Sequence, residues 1–491
     1  MNLRFGQRYP TIIFYLGILL FLAVNIPMLL SYPYVMFDES ALCRIAFYFQ
    51  HDCAIRSDYI LSQASGAFWL PPLFYYVYGF LFQVFGFGIS QARFLSMFLG
   101  VVFLFLFRRL NRISGSSAFV LTCSFIMLII DPSFLRASKL ARPDMLAALF
   151  LLAGVVALIE STIRKKERFT LLSGICFAAA VSTHPLAGLF LLAFLFVLYQ
   201  RRSSLKYYLI FLAPLCAALC CWLIWILPHW NEAYPQILRN IIFRRGIDWK
   251  QSLLSYIETY KFFPLSGLMH ICSAAVGIIW LIRFRSRAHY LSFFAIFVFI
   301  FLRIFTSADS FIYLAAFTPV FFFIAVESLH LSQRRILHIA FVILAFSIIH
   351  ASYNYSSLIS KSFPKSPGND YFEFAQKVSL RLKPNASVLV YGLPDLSMAL
   401  WHIRPDLRLS TFYWFGNRQA VAHLDSIDCI LHAQIGDAQG KQMLFDTFRS
   451  SISERIRMSD RTIADSLIIG DEKKDWEYSA RILYFTPGST K

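Results

Sequence analysis

Two adjacent acids, Asp38 and Glu39, follow the first hydrophobic stretch of the chain, in the run Ser-Tyr-Pro-Tyr-Val-Met-Phe-Asp-Glu-Ser. A carboxylate at a membrane surface is costly to desolvate, so its presence there points to chemistry. It could serve as a general base or as a metal ligand; the alternative is a solvated loop acid. A second group reads Arg136-Ala-Ser-Lys139-Leu-Ala-Arg142-Pro143-Asp144. Three cations and an acid in one short segment suit an anionic headgroup, because Arg and Lys pair well with phosphate. Contact with bulk anionic lipid is the competing explanation. Asp144 opens the next apolar stretch and is placed to sit inside the protein. A third group, His229, Glu232, Arg239, Arg244, Arg245, Asp248 and Lys250, fills residues 229–263 and reads as either a substrate-gripping or a solvated loop. His184 stands between two apolar stretches, where a local hydrogen bond competes with metal or phosphate binding.

These groups sit in a chain that is 58% hydrophobic, 17% aromatic and only 15% charged. Soluble domains carry about 25% charged residues, so this is a membrane composition. The formal charge of +18 is not a nucleic-acid signal. Much of the excess lies in short runs between apolar stretches: 108–109, 164–168, 201–202, 283–287 and 334–335. That is the positive-inside pattern, and the runs are too short to line a polynucleotide groove. Most cysteines lie in apolar stretches, and no CxxC or Cys/His metal spacing occurs. Cys43 and Cys53, both in the polar first loop, are spaced for a disulfide if that loop is extracytoplasmic.

About twenty apolar residues span a bilayer. The candidate spans are 11–31, 92–107, 118–133, 144–160, 169–184, 185–199, 206–228, 264–282, 288–306, 310–327 and 336–353. The long run over 169–199 divides at Thr183-His184-Pro185, where a turn is expected. With a cytoplasmic N-terminus, every basic run falls on the cytoplasmic side after about eleven crossings. The aromatic segment 71–87 is then interfacial or re-entrant. Residues 32–91, 131–143 and 229–263 become extracytoplasmic loops, so all the candidate groups share one face. The fold class is thus a polytopic α-helical membrane protein. A transmembrane domain over 1–360 precedes a small extracytoplasmic α/β domain over 361–491. That domain shows short β-rich runs at 387–391, 429–433 and 481–485 and no phosphate-binding glycine loop, so a lid or scaffold role is expected of it.

The order of these motifs resembles the GT-C glycosyltransferases that use polyprenyl-phosphate sugars, particularly the protein O-mannosyltransferase and lipid A aminoarabinose transferase group. Phe37-Asp38-Glu39 resembles their first-loop Asp-Glu. Pro71-Pro72-Leu73-Phe74-Tyr75-Tyr76, followed by Phe85-Gly86 and Ala92-Arg93-Phe94-Leu95-Ser96, resembles their Pro-Pro-Leu-x-Tyr-Trp block. Ala141-Arg142-Pro143-Asp144 resembles their second acid. The resemblance covers roughly residues 10–350, with its motifs concentrated before about 190. Two positions depart from it. Leu70 stands where a lysine usually precedes Pro-Pro-Leu, and Thr183-His184-Pro185 replaces a Thr-Lys-Gly turn.

The resemblance implies inverting transfer of a sugar from a polyprenyl phosphate to a lipid, glycan or protein hydroxyl, in the inner membrane of a bacterium. It places the base at Asp38, with Glu39 in support and Asp144 assisting by orientation or by holding a divalent metal. Helical neighbours point about 100° apart, so Asp38 and Glu39 cannot both face one substrate atom. Arg93, Arg136, Lys139, Arg142, His184, Arg244, Arg245 and Tyr75 are the candidate substrate contacts. A polytopic transporter or flippase, or an inactive envelope-assembly partner, is the alternative class. The charges lie in loops rather than within spans, which favours the enzyme. The threading makes one direct prediction: a reporter fused after Lys491 is active only outside the cytoplasm. Cytoplasmic activity of that fusion would overturn the odd number of crossings.

Overall fold

The computed structural model describes residues 3–30, 35, 37–52, 68, 70–113, 118–200, 203–245, 371–392, 394–411, 427–435, 463–469 and 478–485. The chain divides into two compact units. Met1–Pro27, Trp69–Phe74 and Phe94–Ser360 form the first, and Met28–Phe68, Tyr75–Arg93 and Lys361–Lys491 the second. This grouping differs from a break at residue 361 in one respect: it joins parts of the first loop to the C-terminal segment.

The described part of the first unit is helical. It holds α1 (Leu3–Asn25), α5 (Ala118–Ile130), α6 (Pro132–Ala137), α7 (Pro143–Arg164), α8 (Glu167–Thr183), α9 (Leu191–Gln200), α10 (Leu205–Ile226) and α11 (Trp230–Arg245), with most of α4 (Ile89–Ile113). Among the described residues, three helical stretches are long and apolar enough to cross a membrane: Ile89–Ile113, Pro143–Arg164 and Leu205–Leu238. Helices occupy each of the first seven expected spans; the last four expected spans lie outside the described residues. The split at Thr183-His184-Pro185 is present. α8 ends at Thr183, His184 is extended, and Pro185 starts a 3-10 helix to Phe190.

Aromatic rings tie these helices together. Phe14 packs on Phe105 and Phe125 with centroids 5.2 and 4.7 Å away, joining α1, α4 and α5. Phe177, Phe194 and Phe211 form a second knot between α8, α9 and α10. The Ser173 hydroxyl donates to the Gly154 carbonyl at 2.8 Å, linking α8 to α7. At the basic ends of α4 and α7, the Glu160 carboxylate receives both Arg109 and Arg164.

Residues 229–263 were expected to be a loop, and the described part is not. A 3-10 turn at Leu227–His229 interrupts the helix for one turn and α11 continues to Arg245. Pro228 removes one amide from the ladder, and the chain then resumes helical pairing, because proline is tolerated in a first helical turn.

The described part of the first loop is largely helical as well. In the second unit, α2 (Phe37–Asp52) carries the acidic pair, and α3 (Leu73–Phe85) covers the aromatic segment. Thirteen residues of helix rise about 20 Å. Gly79 allows α3 to meet α2: a Cβ there would lie 2.6 Å from the Ala46 carbonyl oxygen.

The C-terminal segment supplies α12 (Tyr371–Ser379), β1 (Ser387–Gly392), α13 (Ser397–Ile403), β2 (Arg408–Thr411), β3 (Cys429–Ile435), β4 (Ile463–Ile469) and β5 (Tyr478–Phe485). The strands form one mixed sheet ordered β2-β1-β3-β5-β4. β1 runs parallel to β2 and β3, while β5 is antiparallel to both β3 and β4. Val388, Leu389 and Val390 are all fully buried, as expected of a central strand covered on both faces. Gly392 ends β1 at φ +117°, and a Cβ there would fall 2.0 Å from the Ala433 carbonyl oxygen. We therefore expect Gly392→Val to destabilise the protein by about 2 kcal/mol or more, from strain and clash together. Gly188→Ala, where a Cβ meets nothing within 4 Å, should change stability by less than about 0.5 kcal/mol. Thermal unfolding in detergent distinguishes the two.

Candidate active site

The acidic pair fills the first turn of α2. Amide groups at a helix N-terminus carry partial positive charge, which favours carboxylates there. The two acids have different surroundings. Asp38 is half-buried, whereas Glu39 begins an enclosed run through Ala46. Glu39 and Arg93 are each 0% exposed and face one another. Arg93 Nε donates to Glu39 Oε1 at 2.9 Å and Nη2 donates to Oε2 at 2.6 Å. Arg93 Nη1 also donates to the Leu29 carbonyl at 2.7 Å. A guanidinium fork matches a carboxylate in this bidentate way, and only such geometry offsets the desolvation of two charges.

Arg93, a candidate for lipid phosphate, is paired with Glu39 and has no exposed surface, and Glu39 is turned into the protein. Tyr75 is also fully buried, its ring 6.2 Å from Phe49 of α2.

Behind the acids lies a buried group that the sequence reading did not single out. The Asp395 amide donates to the Val35 carbonyl at 2.8 Å, just before α2. The Tyr371 hydroxyl donates to the Asp395 carbonyl at 2.7 Å. Asp395 Oδ1 accepts from the Ser397 amide at 2.9 Å and from its hydroxyl at 2.5 Å, capping α13. Burial raises the Asp395 carboxyl above its usual range, opposed chiefly by the Ser397 hydrogen bonds. Burial likewise pushes the Tyr371 phenol up. The Asp-x-Ser spacing ahead of an apolar run was the one local signal for this group.

Cys43 is a free, fully buried thiol whose pKa is raised by burial. The expected partner, Cys53, lies outside the described residues.

The first unit holds the second group. Asp131 caps α6, accepting from the Phe134 amide at 2.9 Å, so half of the expected loop 131–143 is a helical turn. Arg136 is half-buried and Lys139 fully buried. The Ser96 hydroxyl donates to the Leu140 carbonyl at 2.8 Å, fixing the turn that follows. Arg142 leads into α7, with Nε 3.0 Å from Oδ2 of the buried Asp144. The pair gives a cation whose direction an acid sets. His184 is buried, and the Leu186 amide donates to its Nδ1 at 3.2 Å, the local hydrogen bond that competed with a ligand role. Arg244 and Arg245 end α11, and their side chains lie outside the described residues. Among the described residues, no three His, Cys, Asp or Glu side chains gather to hold a metal ion.

Three comparisons bear on this geometry. Residues 70–225 match the family described as dolichyl-phosphate-mannose-protein mannosyltransferase. No protein of curated function matches. Among solved structures, ArnT from Cupriavidus metallidurans bound to undecaprenyl phosphate superposes with a TM-score of 0.60 at 13% identity, covering 95% of this chain and 97% of its own. The apo oligosaccharyltransferase of Archaeoglobus fulgidus superposes at 0.53 with 12% identity, covering 87% of this chain and 70% of its own. The same archaeal enzyme, AglB, in complex with an inhibitory peptide and a dolichol-phosphate gives 0.52 at 12% identity, covering 95% and 74%.

The chain thus shares its fold with ArnT and with the archaeal oligosaccharyltransferase. It is similar to the dolichyl-phosphate-mannose-protein mannosyltransferase family in sequence over 70–225 and to ArnT in architecture over most of its length.

The buried pair can be tested by substitution. Arg93→Met leaves an uncompensated carboxylate and should cost about 3–5 kcal/mol, whereas Glu39→Leu/Arg93→Met should recover most of that loss. Equal loss of stability in the single and double variants, measured by thermal unfolding, would contradict the pairing.

Proposed function

We propose that the protein is an integral membrane glycosyltransferase that moves a sugar from a polyprenyl phosphate to an acceptor hydroxyl on the extracytoplasmic face, with inversion. The observation that carries this reading is the ArnT-like fold over 95% of the chain combined with the mannosyltransferase match at 70–225. ArnT is bound to undecaprenyl phosphate and AglB to a dolichol-phosphate, which supports a lipid-linked donor here. The fold and the composition support an integral membrane protein; within this reading it sits in the inner membrane of a bacterium, and the basic runs put its C-terminal domain outside. The acceptor is a lipid, glycan or protein hydroxyl.

Within this reading Asp38 is the base. An acceptor hydroxyl is a weak nucleophile, and its proton must leave as its oxygen attacks the anomeric carbon. The bond from that carbon to the phosphate oxygen breaks on the opposite face, and the electron pair departs with the phosphate. Glu39 cannot take the proton, since both its oxygens are held by Arg93. Arg136 and Arg142 are the cations for the departing phosphate, with Lys139 a further candidate, and Asp144 aims the Arg142 guanidinium. A divalent metal, if one takes part, would add positive charge near Asp144; each step above is assigned to side chains alone. His184, Arg244 and Arg245 remain candidate contacts to the donor.

The test is to incubate purified protein with a panel of polyprenyl-phosphate sugars and to measure released polyprenyl phosphate. We expect Asp38→Asn to bind donor normally and to lose about 10²–10⁴-fold in turnover, the usual cost of removing a general base. Wild-type rates in that variant would remove Asp38 from the mechanism. No release from any donor by the native protein would favour a transporter or an inactive assembly partner.

A further inference from the structure

We propose that the C-terminal α/β domain is a positioning element of the active site, with Arg44 as the positioning residue that aims Asp38. Only the turnover arm of the test below rests on the glycosyltransferase reading.

Two anchors bracket Asp38. Ahead of it, the Asp395 amide holds the Val35 carbonyl at 2.8 Å. Beyond it, Arg44 reaches out of α2 to the sheet of the same unit, and its Nη1 and Nη2 both donate to the Leu409 carbonyl of β2 at 3.2 Å. The Arg44 guanidinium also lies over the Trp401 ring of α13, 5.0 Å from its centroid. Arg44 follows Asp38 by six residues, a rise of about 9 Å. A helix held just before its first turn and again less than two turns later has little freedom to rotate or slide.

The anchors are built for permanence. Arg44 is 5% exposed, so its charge is stabilised by the Leu409 carbonyl and the indole face rather than by water. Trp401 also packs against Phe47, Tyr48 and Phe87, with centroids 5.2, 5.7 and 4.7 Å away. A lid that lifted in each cycle would have to break this aromatic cluster every time. The domain therefore acts as a fixed buttress, and its contribution to rate is the direction it gives to a carboxylate in a different part of the sequence. A shift of about 1 Å at a reacting group can cost about 10²-fold.

The experiment uses the full-length protein in detergent or nanodiscs. Arg44→Ala should lower kcat about 10–100-fold while KM for the lipid-linked donor stays within about threefold. Arg44→Lys keeps the charge but not the fork or the stacking, so it should restore only part of the rate. Amides 39–47 should lose hydrogen-exchange protection in Arg44→Ala, while amides 388–390 of the central strand keep theirs. If Arg44→Ala does not fold, Trp401→Phe, which keeps a ring in the cluster, should show the same pattern at smaller amplitude. Unchanged protection of α2 overturns the buttress, and lost protection with wild-type kcat overturns the positioning role. Absence of turnover in the native protein sinks the glycosyltransferase reading instead and leaves the exchange arm to decide the buttress.

Discussion

The buried ion pair between Glu39 and Arg93 is the constraint on which the site depends. Two opposite charges, both 0% exposed, are stable only because each compensates the other in bidentate geometry. That requirement allows α2 one register against the start of α4. It also separates the roles of two neighbouring acids. The helix turns one carboxylate inward, where it is neutralised, and leaves the other half-buried at the helix head, where burial and access are both partial. Sites that need a single reactive carboxylate benefit from such separation, since two like charges close together disturb each other's protonation.

The parts of this structure that were legible in the sequence are those with local signals. Apolar length revealed where the first seven helical stretches lie, and proline beside histidine revealed the break at 183–185. Short runs of aliphatic and aromatic residues revealed β1, β3 and β5. What could not be read were pairings between distant residues. Arg93 looked available for phosphate because nothing within its own motif shows that Glu39, 54 positions away, already holds it. α2 looked like a loop because its enclosed stretch is covered on all sides and lacks the one-sided apolar stripe of a surface helix. α11 was missed because Pro228 reads as a stop, although it interrupts only one turn.

The C-terminal segment changes its meaning for the same reason. Read along the sequence it is a separate domain after a linker, without a motif of its own. In three dimensions its Asp395, Leu409 and Trp401 belong to the surroundings of α2. The capping of α13 by Asp395 and the bond from that residue's amide to Val35 use both ends of one residue. A small α/β fold can thus contribute rigidity to a helix far from it in the sequence.

The bond from Arg44 to Leu409 spans 365 positions. Loop closure of that length must wait until nearly the whole chain has left the ribosome. Membrane insertion of the early helices, by contrast, proceeds as they are made. The helix that carries Asp38 is among the first segments synthesised, and its final seat is among the last. Biogenesis therefore falls into two stages: a nascent membrane bundle with an unseated acidic helix, then a late docking event that completes the seat. The protein has a built-in delay between entering the membrane and acquiring its finished architecture.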